Sequence, residues 1–188
     1  MSEYEDPGHS DSWDHGDHDS SGHDDVIVAE YTDGSQVAVV DTNHDHYADL
    51  VAVDHDGDGR PEEVDADTDG DHRIDTAAYD FNQDGRVDEI DVDRNHDGRV
   101  DLVDLDRNHD GQLDTEIRDD NFDGRPDHLI ADTNYDGRPD LAAVDSDEDG
   151  QPDVVVTDSN YDGTPDTVHY DDPDSNPLAG GASPYATH

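Results

Sequence analysis

Cysteine and lysine are absent from the chain, and methionine and tryptophan occur once each among its 188 residues. Without cysteine, the chain can form neither a disulfide nor a thiolate metal site. Hydrophobic residues make up only 29% of the chain and aromatic residues 6%, too few for a large apolar core. No apolar run approaches the length of a transmembrane span. If this chain folds, we therefore expect bound metal ions to hold it together.

Basic residues are also scarce. The chain has nine arginines and 55 acidic residues, and its net charge is −46. Such a chain repels nucleic acids and anionic membranes, so we expect neither nucleic-acid binding nor membrane insertion. Composition alone is typical of a disordered acidic protein with only weak metal binding. The opening residues, MSEYEDPGHSDSW, lack the basic and apolar regions of a signal peptide. This predicts a cytoplasmic protein, with leaderless secretion or the cell surface as the alternative.

The order of the residues argues against disorder. The pattern D-x-N-x-D-G-x-ϕ-D, followed by four strand-forming residues, recurs with a period of 13 through ten uninterrupted copies. A disordered acidic tail would not keep Asp at four fixed phases of that period. The array spans residues 41–170, and its copies begin at Asp41, Asp54, Asp67, Asp80, Asp93, Asp106, Asp119, Asp132, Asp145 and Asp158.

The segments that flank the array differ from it. Residues 171–188 lose the period and are expected to be a disordered tail. Residues 26–40 predict a β-hairpin with its turn at Asp33 and Gly34, which would cap the first edge of the array. Residues 1–25 are expected to be a disordered Asp/His/Ser-rich tail. Its histidines either bind a transition metal weakly or are simply solvated: His9, His15, His18 and His23.

The repeat places oxygen-bearing side chains at a spacing that suits Ca²⁺. Counted from the first Asp, positions 1 and 5 are always Asp, position 3 is Asn in seven copies and Asp in three, and position 9 is acidic in all ten. Ca²⁺ takes six to eight oxygen ligands at about 2.3–2.6 Å. Positions 1, 3 and 5 can each turn one oxygen toward an ion. Gly at position 6, present in eight copies, permits the sharp turn that offers the position 7 carbonyl.

We therefore predict up to about ten Ca²⁺ sites. The predicted side-chain ligands occupy positions 1, 3, 5 and 9: Asp41, Asn43, Asp45, Asp49, Asp54, Asp56, Asp58, Glu62, Asp67, Asp69, Asp71, Asp75, Asp80, Asn82, Asp84, Asp88, Asp93, Asn95, Asp97, Asp101, Asp106, Asn108, Asp110, Asp114, Asp119, Asn121, Asp123, Asp127, Asp132, Asn134, Asp136, Asp140, Asp145, Asp147, Asp149, Asp153, Asp158, Asn160, Asp162 and Asp166. The predicted backbone-carbonyl ligands occupy position 7: Arg60, Arg86, Arg99, Gln112, Arg125, Arg138, Gln151 and Thr164.

These loops resemble known calcium-binding sequences. DFNQDGRVDEID (80–91) and DRNHDGRVDLVD (93–104) are similar to the loops of EF-hands and dockerin modules, and DTNYDGRPDLAAV (132–144) is similar to loops of integrin-type propellers. The tandem DxNxDGxxD arrangement resembles thrombospondin type 3 arrays, and the resemblance covers about 130 of 188 residues. It implies that positions 1, 3, 5, 7 and 9 are ligands and implies nothing about a protein partner.

The departures from these families exclude their folds. The short stretch between loops cannot form an EF-hand helix, and a repeat of this length cannot form a propeller blade. The bidentate Glu of EF-hands at position 12 is replaced by Asp in three copies and by non-acidic residues in seven. We expect the first Asp of the next repeat to supply the missing oxygens, which would couple sites that are adjacent in sequence.

The four linking residues at positions 10–13 are β-branched or aliphatic and predict short strands. Positions 11 and 13 share one face of a strand and are mostly apolar, which suggests a common inner face. We therefore expect an all-β, calcium-stapled, β-roll-like solenoid of parallel strands with two repeats per coil. A three-repeat coil and an irregular spiral wound on ions are the alternatives.

Two local features allow more than one interpretation. In TEIR (115–118), the pattern is inverted, which predicts either a local bulge or kink or a simple pairing of Glu116 with Arg118. Arg occupies position 7 in six copies. These side chains either compensate the acidic charge along the loops or form a row that binds a partner. Histidines at position 4 are expected on the loop exteriors.

The predicted function is that of a calcium-binding repeat protein that folds on metal binding. It would act as a non-catalytic buffer, scaffold or surface/adhesion module. One alternative is a binding module for another hard cation such as a lanthanide, favoured by the three or four carboxylates of each loop. Another is a disordered acidic protein that binds metal weakly. The sequence contains no nucleophile paired with a base and no phosphate-binding loop, so we do not expect an enzyme.

Overall fold

The structure, a computed structural model, describes residues 25–170. The expected tail at 171–188 and all but the last residue of the expected tail at 1–25 lie outside this range, and Asp25 begins the first strand. Twelve strands and no helix lie within it, and the predicted all-β class is confirmed. The strands are β1 (Asp25–Glu30), β2 (Gln36–Asp41), β3 (Leu50–Asp54), β4 (Glu63–Ala66), β5 (Thr76–Tyr79), β6 (Glu89–Val92), β7 (Leu102–Leu105), β8 (Thr115–Arg118), β9 (His128–Ala131), β10 (Leu141–Val144), β11 (Val154–Thr157) and β12 (Thr167–Tyr170).

The strands form one open sheet in which each strand pairs antiparallel with the next along the chain. The predicted parallel solenoid is therefore wrong. The reason lies in the loops, because in nine of the ten the position 9 N–H donates to the carbonyl of the residue just before position 1. Asp114 N, for example, lies 2.7 Å from Leu105 O. This bond closes a hairpin, so the chain reverses at every loop and two repeats return it to its starting edge.

The antiparallel register also removes the expected inner face. Position 11 of one repeat pairs with position 12 of the next, as Val51 pairs with Asp65. Residues that pair directly point to the same side of a sheet. Position 11 therefore alternates between the two faces along the array, and the apolar positions of successive repeats never gather on one side.

The sheet is consequently a single layer without a packed core. Ala131, at 5% exposure, is the one buried hydrophobic residue within the described range. Nearly all other strand residues of β3–β12 are half-buried. Side-chain packing across this sheet is therefore limited to neighbouring strands, and hydrophobic burial contributes little to stability.

Carboxylates interrupt both faces of the sheet. On one face, Glu63 and Glu89 pair directly with Tyr79 from either side. Burial raises the pKa of the Tyr79 hydroxyl, and the charges of Glu63 and Asp91 raise it further. Burial also raises the pKa of Asp91 and, with the Asp91 charge, that of Glu89. Oδ1 of Asp91 is buried and has no hydrogen-bond partner. These carboxylates therefore destabilise the sheet when they are charged.

Repeat 6 keeps the regular register. β8 pairs residue by residue with β7 and β9, so the bulge predicted for TEIR is wrong. The alternative is confirmed, because Arg118 Nε lies 3.4 Å from Glu116 Oε1, as an ion pair without hydrogen-bond geometry. Asp104 lies directly opposite Glu116 on β7. The inverted pattern is tolerated because a single-layer sheet has no interior for these side chains to enter.

β1 and β2 form an antiparallel hairpin around the turn at residues 31–35. The turn is closed by Gly34 N donating to Tyr31 O at 3.0 Å and Tyr31 N donating to Ser35 O at 2.9 Å. β2 continues the sheet into β3, while β1 forms its edge and exposes about half of Val26, Ile27 and Val28. Among residues 25–170, no helix is long and apolar enough to cross a membrane.

Candidate metal centres

The ten loops, each comprising positions 1–9 of one repeat, are numbered 1–10 along the chain. They alternate between the two edges of the sheet at which the strands begin and end, because the chain reverses at each loop. We call loops 41–49, 67–75, 93–101, 119–127 and 145–153 the odd row. We call loops 54–62, 80–88, 106–114, 132–140 and 158–166 the even row. Loops that are neighbours in a row are two repeats apart in sequence, whereas loops of consecutive repeats lie on opposite edges.

All ten loops share one hydrogen-bond pattern that uses every predicted side-chain ligand as an acceptor. The position 6 N–H donates to the position 1 carboxylate at 2.6–2.9 Å. The position 5 N–H donates to the position 3 side-chain oxygen at 2.8–3.2 Å. The position 7 N–H donates to the position 5 carboxylate at 2.8–3.1 Å.

The position 9 carboxylate closes the loop by accepting the position 2 N–H at 2.6–3.1 Å in all ten copies. In loops 1, 3, 8 and 10, a Thr or Ser hydroxyl at position 2 donates to the same carboxylate. The side chains at positions 1, 3, 5 and 9 are thus held in the same arrangement ten times. This role for position 2 was missed in the sequence, where it varies among Thr, Ser, His, Phe, Arg and Asp.

The turn depends on left-handed backbone at two positions. Position 6 has φ between 73° and 90°, which explains the eight glycines there and identifies His46 and His72 as strained exceptions. Position 4 also has positive φ, near 60° in its non-glycine copies, although eight of the ten residues there are not glycine. Nothing in the residue pattern marked this second left-handed position.

Burial separates the ligand positions into two pairs. The position 1 carboxylate is buried in eight loops and that of position 9 in five, whereas positions 3 and 5 are half-buried or exposed. Burial would raise the pKa of Asp88, but hydrogen bonds from His109 and from backbone N–H groups outweigh it and lower that pKa. Asp75 behaves similarly, with Thr68 and Thr76 as the donors that outweigh burial and lower its pKa. The side chains at positions 1 and 9 therefore lie at the ends of the strands as hydrogen-bond acceptors.

The residue at position 3 divides the loops into two classes. In the seven Asn loops, the amide oxygen accepts from position 5 while the amide nitrogen lies 3.0–3.3 Å from the carboxylate of position 9 or position 5. In loops 2, 3 and 9, Asp at position 3 provides no such donor. In the Asn loops, the amide nitrogen therefore donates a hydrogen bond to a carboxylate, and the Asp loops lack this donor.

Three carboxylate oxygens consequently lie within 4.8 Å of one another in each Asp loop. The groups are Asp54, Asp56 and Asp58; Asp67, Asp69 and Asp75; and Asp145, Asp147 and Asp153. In the last group, the Asp149 N–H lowers the pKa of Asp147, but burial and three neighbouring carboxylates outweigh it and raise that pKa. These clusters could hold a metal ion, because oxygen ligands from carboxylates are what hard cations prefer.

One predicted ligand relation is wrong. The first Asp of the next repeat cannot complete a site, because a four-residue strand of about 13 Å separates the two ends and carries that Asp to the opposite edge. Asp54, for example, begins a loop of the even row, whereas Asp41 begins one of the odd row. Sites that are adjacent in sequence therefore do not share ligands.

The histidines predicted on the loop exteriors include two that contact a neighbouring loop, and Gln83, also at position 4, does the same. His109 Nδ1 lies 2.6 Å from Asp88 Oδ1, and this contact raises the His109 pKa. His96 Nε2 lies 3.2 Å from Asp69 Oδ2. Gln83 donates to Glu62 at 2.8 Å. Each of these contacts reaches the preceding loop of the same row.

No protein-family model, curated protein or solved structure matches this chain. Its function is therefore inferred from the loops themselves.

Proposed function

We propose that this chain is a non-catalytic calcium-binding repeat protein whose loops each hold one Ca²⁺. The observation that carries the proposal is the convergence of three carboxylate oxygens within 4.8 Å in each of the three Asp loops. Like charges at that separation repel, and a divalent cation among them would convert the repulsion into attraction. The common hydrogen-bond pattern extends the same backbone frame to the seven Asn loops, which offer an amide oxygen in place of one carboxylate.

The charge of the whole chain supports a folding role for the ions. Ten divalent ions would reduce the net charge from −46 to −26. The sheet buries almost no hydrophobic side chain, so little apolar burial is available to offset chain entropy and charge repulsion. Binding to the folded loops alone would then stabilise the fold by mass action. The protein would be compact with calcium and loose without it.

A protein of this kind serves as a calcium buffer, or as a scaffold or surface/adhesion module that becomes ordered with calcium. Both uses need only reversible ion binding, and neither needs a catalytic group. Loops without a bidentate position 12 ligand would bind Ca²⁺ with dissociation constants of about 10⁻⁵ to 10⁻³ M, by analogy with weaker calcium loops.

Circular dichroism and native mass spectrometry of the full chain test the proposal together. With millimolar calcium, we expect a strand signal and a series of bound ions approaching ten, and with chelator we expect loss of both. Magnesium at the same ionic strength is the control, because it favours octahedral sites that keep several waters. A strand signal that is identical with calcium and with chelator would refute folding on binding. A chain that carries no calcium by mass would refute the site assignment.

A trivalent hard cation is the second candidate ligand, favoured by the carboxylate clusters of loops 2, 3 and 9. Terbium luminescence sensitised by Tyr135 and Tyr161 would measure it. If the chain holds terbium but calcium alone does not bind to it, the protein is a lanthanide-binding module instead. Displacement by calcium at comparable concentration supports the calcium assignment.

A further inference from the structure

Backbone hydrogen bonds join the loops along each row. In every pair of row neighbours, the position 1 N–H of one loop donates to the position 9 carbonyl of the preceding loop at 2.8–2.9 Å. Asp106 N, for example, lies 2.8 Å from Asp88 O. There are eight such pairs, and all eight have this bond. Both residues of each bond are predicted ligands, so the bond connects the ligand sets of two sites directly.

Side chains at position 4 connect three of these eight pairs of loops. In the even row, Gln83 Nε2 lies 2.8 Å from Glu62 Oε1 and 3.2 Å from Asp56 Oδ2. In the same row, His109 Nδ1 contacts Asp88, whose side chain is only 3% exposed. In the odd row, His96 lies 3.2 Å from Asp69 and 3.6 Å from Asp71. Every carboxylate touched is at position 3, 5 or 9 of the preceding loop.

Arginines at position 7 connect loops in the opposite direction along each row. Arg86 Nη1 donates to the Asp110 carbonyl at 2.6 Å, and Arg125 Nη1 donates to the Glu148 carbonyl at 3.1 Å. These carbonyls belong to the following loop of the same row. The arginines therefore place positive charge between neighbouring acidic loops, and these side chains are engaged within the array.

Loops that are adjacent in sequence have no comparable connection. They lie on opposite edges of the sheet, about 13 Å apart across a four-residue strand. Within residues 25–170, no hydrogen bond or ion pair joins the ligand side chains of such neighbours. The polar network of the array consists of two separate rows of five loops.

From this network we infer that calcium binding is coupled along each row, between sites two repeats apart, and that the polar position 4 side chains of Gln83, His96 and His109 are positioning residues for the preceding site of their row. The inference rests on the proposed function. An ion that fixes positions 1 and 9 of one loop also fixes the backbone bond that holds position 1 of the next, so the second loop is ordered before its ion arrives. Such coupling is reciprocal between the two sites.

The position 6 glycines allow each site to be followed separately. Their amides donate to the position 1 carboxylates, so the amide NMR signals of Gly85, Gly98, Gly111 and Gly124 report loops 4 to 7. In a calcium titration of the full chain, the His109→Gly variant removes the contact with Asp88 and leaves a residue suited to positive φ. We expect the calcium midpoint at Gly85 to rise about fivefold. The midpoints at Gly98 and Gly124, on the other edge, are expected to stay within twofold.

Two further variants separate positioning from a general effect of the substitution. His109→Gln places at loop 6 the residue that Gln83 supplies at loop 4, and we expect it to restore the Gly85 midpoint. Tyr161→Gly makes the same backbone change in loop 10, where position 4 has no polar contact with another described loop. The Gly137 midpoint of loop 8 should therefore stay unchanged in that variant. An unchanged Gly85 midpoint in His109→Gly, or an equal rise at Gly98, would overturn the inference.

Removing a whole site gives an independent measure of the coupling. In Asp106→Asn/Asp110→Asn, loop 6 loses two carboxylates, and we expect higher midpoints at Gly85 and Gly137 and unchanged midpoints at Gly98 and Gly124. Equal shifts at all four glycines would show coupling through the strands and refute two separate rows. Glycine signals that never respond to calcium would instead refute the proposed function itself.

Discussion

Replacing Asp106 or Asp104 by Asn makes the same chemical change at two nearby positions, and we expect opposite effects on stability. Asp106 is 2% exposed, and its carboxylate accepts the N–H groups of Gly111 at 2.6 Å and Asp110 at 3.3 Å. Asn would keep one of these bonds as a neutral one and turn an NH₂ group toward the other donor. Bonds to a charged group contribute about 1.5–3 kcal/mol each and neutral bonds about 0.5–1.5 kcal/mol, so Asp106→Asn should cost about 3 kcal/mol.

Asp104 lies on the sheet surface directly opposite Glu116, with its pKa raised by burial and by that neighbouring charge. Asp104→Asn removes a like-charge pair and should stabilise the protein by about 0.5 kcal/mol. Urea unfolding of both variants at saturating calcium, followed by circular dichroism, measures both free energies of unfolding. If Asp106→Asn is as stable as the parent chain, or if both variants lose stability equally, the role assigned to the position 1 carboxylate is refuted.

Three further predictions concern backbone strain, steric fit and pH. His46→Gly should raise the free energy of unfolding by about 0.5–1 kcal/mol, because φ at His46 is 76° and glycine adopts it without strain; an unfolding curve that is unchanged would contradict this. Gly111→Ala should cost about 1–2 kcal/mol in the same assay, since φ is 89° and the new Cβ would lie 2.7 Å from Arg86 Cδ. Asp91→Asn should raise the melting temperature at pH 7, because the pKa of Asp91 in the fold is raised above 3.8 and its charged form opposes folding. That gain should shrink as the pH falls toward 4, where the native carboxylate takes up its proton first, and a gain that grows with acidity would contradict the assignment.

The sequence predicted the loops better than the sheet. The spacing of carboxylates and Gly at 1, 3, 5, 6 and 9 is local information, because all their mutual hydrogen bonds lie within one loop. The four-residue strands were also local and predictable. Strand direction was not, since it depends on whether the loop closes on itself, and the Asp114 to Leu105 bond that closes it is invisible in a residue pattern.

The contacts of position 4 side chains, like strand direction, could not be predicted from the sequence of one repeat. His96 and His109 lie in loops whose local pattern is complete without them, so nothing in a single repeat assigns them a partner. Their contacts with Asp69 and Asp88 join loops two repeats apart, across a row that exists only because the sheet is antiparallel. Position 4 varies among the repeats and adopts positive φ in all ten, and only the structure shows the second property.

Because the chain reverses at every loop, the direction of its last strand depends on whether the number of repeats is odd or even. Deleting one repeat from the middle of the array would reverse the direction of β12 relative to β2 and leave one row of five loops and one of four. Deleting two consecutive repeats would keep the direction of β12 and leave two rows of four loops. In both cases the row neighbours change only at the junction, so natural or engineered changes in length should need steps of two repeats only where the direction of the last strand matters.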